Sequence, residues 1–174
     1  MISVTQHIHA YRFIVLVVSA PLAASFLLPL VVTAEGAKSP TETSVIGVNL
    51  ACGEFGSVPG IFNKDYTYPG DQQFDYCKRN GFRVVRLPIR WKRVQPKLME
   101  PLAPTELARL DEVAELARKR DIKLLFDLHN YARYNGKLIG TDEVPTEAFA
   151  NFWRRFARHY QDEPAIFAYG LMNE

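Results

Sequence analysis

The dipeptide Asn173-Glu174 follows an apolar run, Ala165 to Met172, that reads as a buried strand. A carboxylate at the C-terminal tip of such a strand stands where α/β folds keep their chemistry, and it can serve there as a general acid or base. The bland alternative is a solvated residue at a strand end. Strict alternation cannot turn both Asn173 and Glu174 inward, so an irregular backbone is expected at this point. Arg86 lies in mid-strand within Arg83-Val84-Val85-Arg86-Leu87-Pro88-Ile89. An inward guanidinium must be paired, because a buried charge without its partner costs on the order of 3–5 kcal/mol. Its partner is expected across the mouth of the fold, either Glu174 or a carboxylate not present here. A structural ion pair or an edge-strand charge is the competing reading. His129 ends the strand Lys123 to Asn130 and points inward with Asp127. It suits a hydrogen bond to substrate, a metal or a core partner. A metal site takes three or four ligands, and Asp127 and His129 do not make one, so no metal is expected.

The elements that must position these residues alternate. Val45 to Leu50 reads as a first strand, and a long Gly/Pro/aromatic loop spans about residues 51–70. Asp71 is a plausible N-cap for a helix over Gln72 to Arg79, with Asn80-Gly81 as its stop. After the strand around Arg86, a second helix begins near Thr105 and carries Leu107, Leu110, Val113, Ala114, Leu116 and Ala117 at helical spacing. A third helix covers about Thr146 to Tyr160, before the last strand.

Four βα units of this kind call for parallel strands with right-handed crossovers. The candidates are a doubly wound sheet and the first half of a (β/α)₈ barrel. Period-2 parity favours the barrel. Val85, Leu87 and Ile89 share one face of their strand, and Leu124, Phe126 and Leu128 share one face of the next. The opposite faces turn polar toward their C-terminal ends, as a barrel interior does where it becomes a site. A doubly wound sheet, covered on both faces, has little use for Arg86 in mid-strand. The expected fold is therefore α/β, the first four βα units of a barrel truncated at strand four, over residues 45–174.

Residues 1–34 read as an export signal, or as an anchor through the apolar run 13–32, with residues 35–44 as a polar linker. Either reading puts the remainder outside the cytoplasm, extracellular or periplasmic. Cys52 and Cys77 would then meet an oxidising compartment, as one bridge or as two buried thiols. The net charge of +2 is too close to neutral to suggest a nucleic-acid partner. The sequence holds no Gly-rich phosphate loop and implies no cofactor and no obligate protein partner. Tyr66 in the first loop, with Trp91, Asn130 and Tyr131 after strands two and three, would line the mouth and bind substrate. Aromatic faces suit sugar rings, although any single ring is more often packing.

The segments Gly47-Val48-Asn49-Leu50, Glu54-Phe55-Gly56, Val85-Arg86-Leu87-Pro88-Ile89, His129-Asn130-Tyr131-Ala132-Arg133-Tyr134 and Gly170-Leu171-Met172-Asn173-Glu174 together resemble glycoside hydrolase family 5. The nearest likeness is to its secreted endo-β-1,4-glucanases, the cellulases. The resemblance implies a (β/α)₈ barrel that hydrolyses β-glucan with retention of configuration. It makes Glu174 the acid/base, Asn173 the asparagine before it, Arg86 the strand-two arginine that supports the carboxylates, and His129 the strand-three histidine. It also implies a nucleophile glutamate that no residue of this chain supplies. A glucan-binding half-barrel without catalysis is the alternative, and an unrelated α/β binding module is a third.

Overall fold

The computed structural model describes residues 45–174. The export-signal, anchor and linker readings fall on residues 1–44 and lie outside the described residues. Among the described residues, no helix is long and apolar enough to cross a membrane.

Strands β1 (Gly47–Asn49), β2 (Val84–Ile89), β3 (Lys123–Leu128) and β6 (Ile166–Gly170) form one four-stranded sheet in the order β1-β2-β3-β6. Every pairing in it is parallel. Helices α1 (Asp71–Arg79), α3 (Pro104–Lys119) and α4 (Thr146–His159) make the crossovers. The strands follow one another in sequence order without reversal, so among the described residues there is no doubly wound switch point. This is the parallel sheet and helix layer of half a (β/α)₈ barrel.

Alternation within each strand sets the two faces. Val85, Leu87 and Ile89 of β2 and Leu124, Phe126 and Leu128 of β3 are all fully buried. They meet Phe74 and Cys77 of α1, Leu110, Val113 and Ala117 of α3, and Phe152 and Phe156 of α4 in one core. Phe126 packs edge-on against Phe156 with ring centroids 5.1 Å apart. The other face carries Arg86, Asp127 and His129.

Several boundaries differ from the sequence reading. Gly70, not Asp71, is the N-cap of α1, and its backbone N–H donates to Gln73 Oε1 at 3.0 Å. Asp71 instead opens the helix and pairs with Arg120 at 2.6 Å. Helix α3 starts one residue early because Pro104 occupies its first turn, where a missing N–H costs nothing. Cys52 and Cys77 are buried free thiols. Burial pushes the Cys52 thiol up to about 12, which makes it unreactive.

Two small elements escaped the sequence reading. Helix α2 (Trp91–Val94) is a single turn, too short for periodicity to reveal. Strands β4 (Arg133–Tyr134) and β5 (Lys137–Leu138) form an antiparallel hairpin. Its turn residues Asn135 and Gly136 both have positive φ, 49° and 80°. An Asn-Gly pair is the sequence signal for that turn.

The long first loop is tied down from below. Arg93 of α2 is only 4% exposed. Its guanidinium donates to the carbonyls of Pro59 at 3.0 Å, Phe55 at 3.0 Å and Ser57 at 2.8 Å, and also to that of Gly53. It lies 3.6 Å from the centre of the Tyr66 ring. The hydroxyls of Tyr66 and Tyr68 donate to Glu106 of α3 at 2.8 and 2.6 Å, and Arg109 pairs with the same carboxylate at 2.7 Å. Glu106→Ala is expected to destabilise the fold by about 3–5 kcal/mol, because it strands an arginine and two buried hydroxyls at once. Urea unfolding of both proteins measures this, and a change below about 1 kcal/mol would show the cluster to be weakly coupled.

Candidate active site

Strand register, with the segment after β6, brings the side chains of Asn49, Arg86, Asp127 and Asn173 together on the inner face of the sheet. Asn49 pairs with Arg86 across β1 and β2, Pro88 with Asp127 across β2 and β3, and Asp127 with Gly170 across β3 and β6. Arg86 therefore lies between neighbours on both sides. Its Nη1 donates to Asn49 Oδ1 at 2.6 Å. Its Nη2 donates to Asp127 Oδ2 at 2.7 Å and to Asn173 Oδ1 at 3.1 Å.

This corrects the pairing expected for Arg86. Among the described residues its carboxylate is not Glu174 but Asp127 on the adjacent strand. The Asp127 side chain is 7% exposed and that of Arg86 32%. The pair is thus buried on the acid side and open to the mouth on the base side.

His129 continues the ladder beyond β3, with its N–H donating to Ile89 O at 2.9 Å. Its Nδ1 lies 3.3 Å from Asp127 Oδ2, and its Nε2 lies 3.0 Å from the Tyr131 hydroxyl and 3.4 Å from Asn173 Nδ2. Asn173 is held by backbone as well, donating to Leu128 O and accepting from Tyr131 N, both at 3.0 Å. Glu174 then turns into the left-handed region at φ 54° and is exposed. Tyr131 and Ala132 share that strained backbone, at φ 53° and 54°. Tyr131 and Ala132, two non-glycine residues in this region beside one site, store strain of order 1–3 kcal/mol each.

Of the four residues expected to bind substrate, Tyr131 alone is open, at 43% exposed. Its ring stands edge-on to His129 with centroids 5.1 Å apart. The other three are corrected. Trp91 is fully buried, 4.9 Å from the Tyr134 ring, and its Nε1 donates to Gln95 Oε1 at 2.8 Å. Asn130 is buried and its amide is used up locally: Oδ1 accepts from Trp91 N at 2.8 Å and Nδ2 donates to Arg133 O at 2.7 Å. It anchors the first turn of α2. Tyr66 is buried under Arg93 with its hydroxyl on Glu106, and burial beside that carboxylate pushes the phenol up to about 12.

Asp127 and Asn49 are the site residues that the sequence reading did not select. Alternation already put Asp127 on the inner face, but its partners depend on register. Among the described residues, no group of His, Cys, Asp and Glu is arranged to hold a metal ion. What remains is a guanidinium, an imidazole, an amide and a phenol packed around a buried carboxylate, beside a free carboxylate at the sheet's C-terminal mouth. Such a set can bind hydroxyl groups and exchange a proton with them.

The chain matches the family description Cellulase (glycosyl hydrolase family 5) over residues 38–174. An endo-beta-1,4-glucanase from Xanthomonas axonopodis pv. citri is 45% identical, with a TM-score of 0.72 over 75% of this chain and 42% of that one. The Pseudomonas stutzeri endoglucanase Cel5A, solved with cellobiose, is 36% identical, with a TM-score of 0.73 over 75% of this chain and 40% of that one. Endoglucanase 1 of Saitozyma flava is 32% identical over 132 residues, 74% of this chain and 38% of the relative. The chain thus spans about four-tenths of the length of these relatives. By the family match and this shared fold, the chain belongs to glycosyl hydrolase family 5, the cellulase family.

Proposed function

We propose that this chain carries the acid/base half of a retaining endo-β-1,4-glucanase site, built on the first four βα units of its barrel. The observation that carries the reading is the network of Arg86, Asp127, His129 and Asn173 beside the free carboxylate of Glu174. In this reading Glu174 protonates the oxygen of the scissile glucosidic bond as it breaks, and later takes a proton from the attacking water. A retaining mechanism needs a second carboxylate as nucleophile, about 5–5.5 Å from the first. Among the described residues Asp127 is the other carboxylate on this face, and it is pinned by Arg86 and His129. The nucleophile therefore comes from a residue outside these 174.

The substrate is a β-1,4-glucan or its oligosaccharides, in keeping with the cellobiose complex of the Pseudomonas relative. Tyr131, exposed beside His129, is the sugar-contacting ring of this half-site. The apolar run 13–32 of residues 1–34 directs export, as signal or anchor, and residues 35–44 link it to the barrel segment 45–174.

The test joins residues 45–174 to the C-terminal part of the Xanthomonas relative and assays the product on barley β-glucan. Hydrolysis is expected, with the new reducing end released first as the β-anomer. A folded chimera that releases no sugar, or releases the α-anomer first, would overturn the proposal. Residues 1–174 alone are expected to release none, for want of the nucleophile.

A further inference from the structure

The hydrogen bonds around His129 fix where its proton sits. A guanidinium only donates, so the Asn173 oxygen faces Arg86 and the Asn173 NH₂ faces His129 Nε2. Nε2 must then be the bare nitrogen, an acceptor shared by the Asn173 amide and the Tyr131 hydroxyl. The ring hydrogen is left on Nδ1, where Asp127 Oδ2 lies 3.3 Å away. That same oxygen takes the Arg86 bond at 2.7 Å. Gly170, paired with Asp127 in register, leaves the room for this arrangement: a Cβ there would stand 2.6 Å from Asp127 Oδ1.

We infer that Asp127 is a positioning residue, which locks His129 as the Nδ1–H tautomer and presents its Nε2 to the mouth as an acceptor. Free histidine in water favours the opposite tautomer, and in a protein the partner of one nitrogen decides the state of the other. In the proposed glucanase site, on which this inference builds, a sugar hydroxyl replaces the Tyr131 hydroxyl as donor to Nε2. The wrong tautomer would meet the Asn173 amide donor to donor, and could only donate to that hydroxyl instead of accepting from it.

The state is read by ¹⁵N NMR of the His129 ring in the 174-residue chain, assigned against His129→Gln. Wild type is expected to show Nδ1 protonated and Nε2 bare at neutral pH. Asp127→Ala should exchange the roles of the two nitrogens or mix them. Gly170→Ala should do the same with the charge retained, and serves if Asp127→Ala does not fold. Asp127→Asn should keep the wild-type tautomer, because Arg86 forces its oxygen into the shared position. A merely structural aspartate would lower the melting temperature without altering the tautomer. A wild-type ring protonated at Nε2, or Nδ1–H persisting in both alanine variants, would overturn the inference. The readout needs no substrate: an inactive chimera with the expected tautomer counts against the proposed glucanase alone.

Discussion

Glu174→Gln in the reconstituted barrel is expected to lower kcat on β-glucan by about 10³-fold or more, within the range that a positioned acid/base supplies. The glutamine keeps the size of the side chain and removes the proton it gives, so KM should move little. The loss should depend on the leaving group. An aryl cellobioside with a weakly basic phenolate departs without protonation, so its first bond cleavage should be nearly normal and a burst of phenol should precede slow turnover. Added azide, which needs no base, should then speed the second step. A loss of equal size for glucan and aryl glycoside, with neither burst nor azide rescue, would remove Glu174 from the acid/base role.

Arg86→Ala should damage both the site and the fold. It deprives the buried Asp127 carboxylate of its counter-charge and the Asn49 and Asn173 oxygens of their donor. Breaking a buried pair costs about 3–5 kcal/mol, and the partial exposure of Arg86, 32%, sets the expectation near the lower end, about 3 kcal/mol. In reconstituted enzyme that remains folded, kcat should fall about 10²-fold, the cost of losing one preorganised donor, with a smaller change in KM. Urea unfolding and steady-state kinetics on the same preparation separate the two effects. Normal kcat in folded Arg86→Ala would make the arginine a structural residue only.

The sequence discloses faces better than partners. Two strands with one wholly apolar side each were enough to separate a barrel from a doubly wound sheet, and burial of Val85 through Leu128 follows that parity. Arg86, His129 and Asn173 meet because each stands on the polar side near a strand's C-terminal end. What alternation cannot give is the neighbour across the strand. Asp127 went unselected because its bond to Arg86 depends on a register that only the folded sheet fixes. The aromatic residues failed for a different reason. Trp91 and Tyr66 have the composition of a sugar platform, but a ring beside a site packs inward whenever a cavity is there to receive it. Trp91 fills one between Tyr134 and Phe152, and Tyr66 is stacked under Arg93.

The clamp of Arg93 on residues 53–59 has a thermodynamic consequence for whatever enters the mouth. Freezing a mobile backbone costs about 1–2 kcal/mol per residue, and a loop ordered only by its ligand would subtract that from affinity. Here the carbonyls of Gly53, Phe55, Ser57 and Pro59 are already gathered around one guanidinium. The ordering is complete before a ligand arrives. Association with this wall should therefore show a small entropic penalty and rigid-body kinetics. Loosening Arg93 would turn the same contacts into ones that must be organised afresh at every encounter.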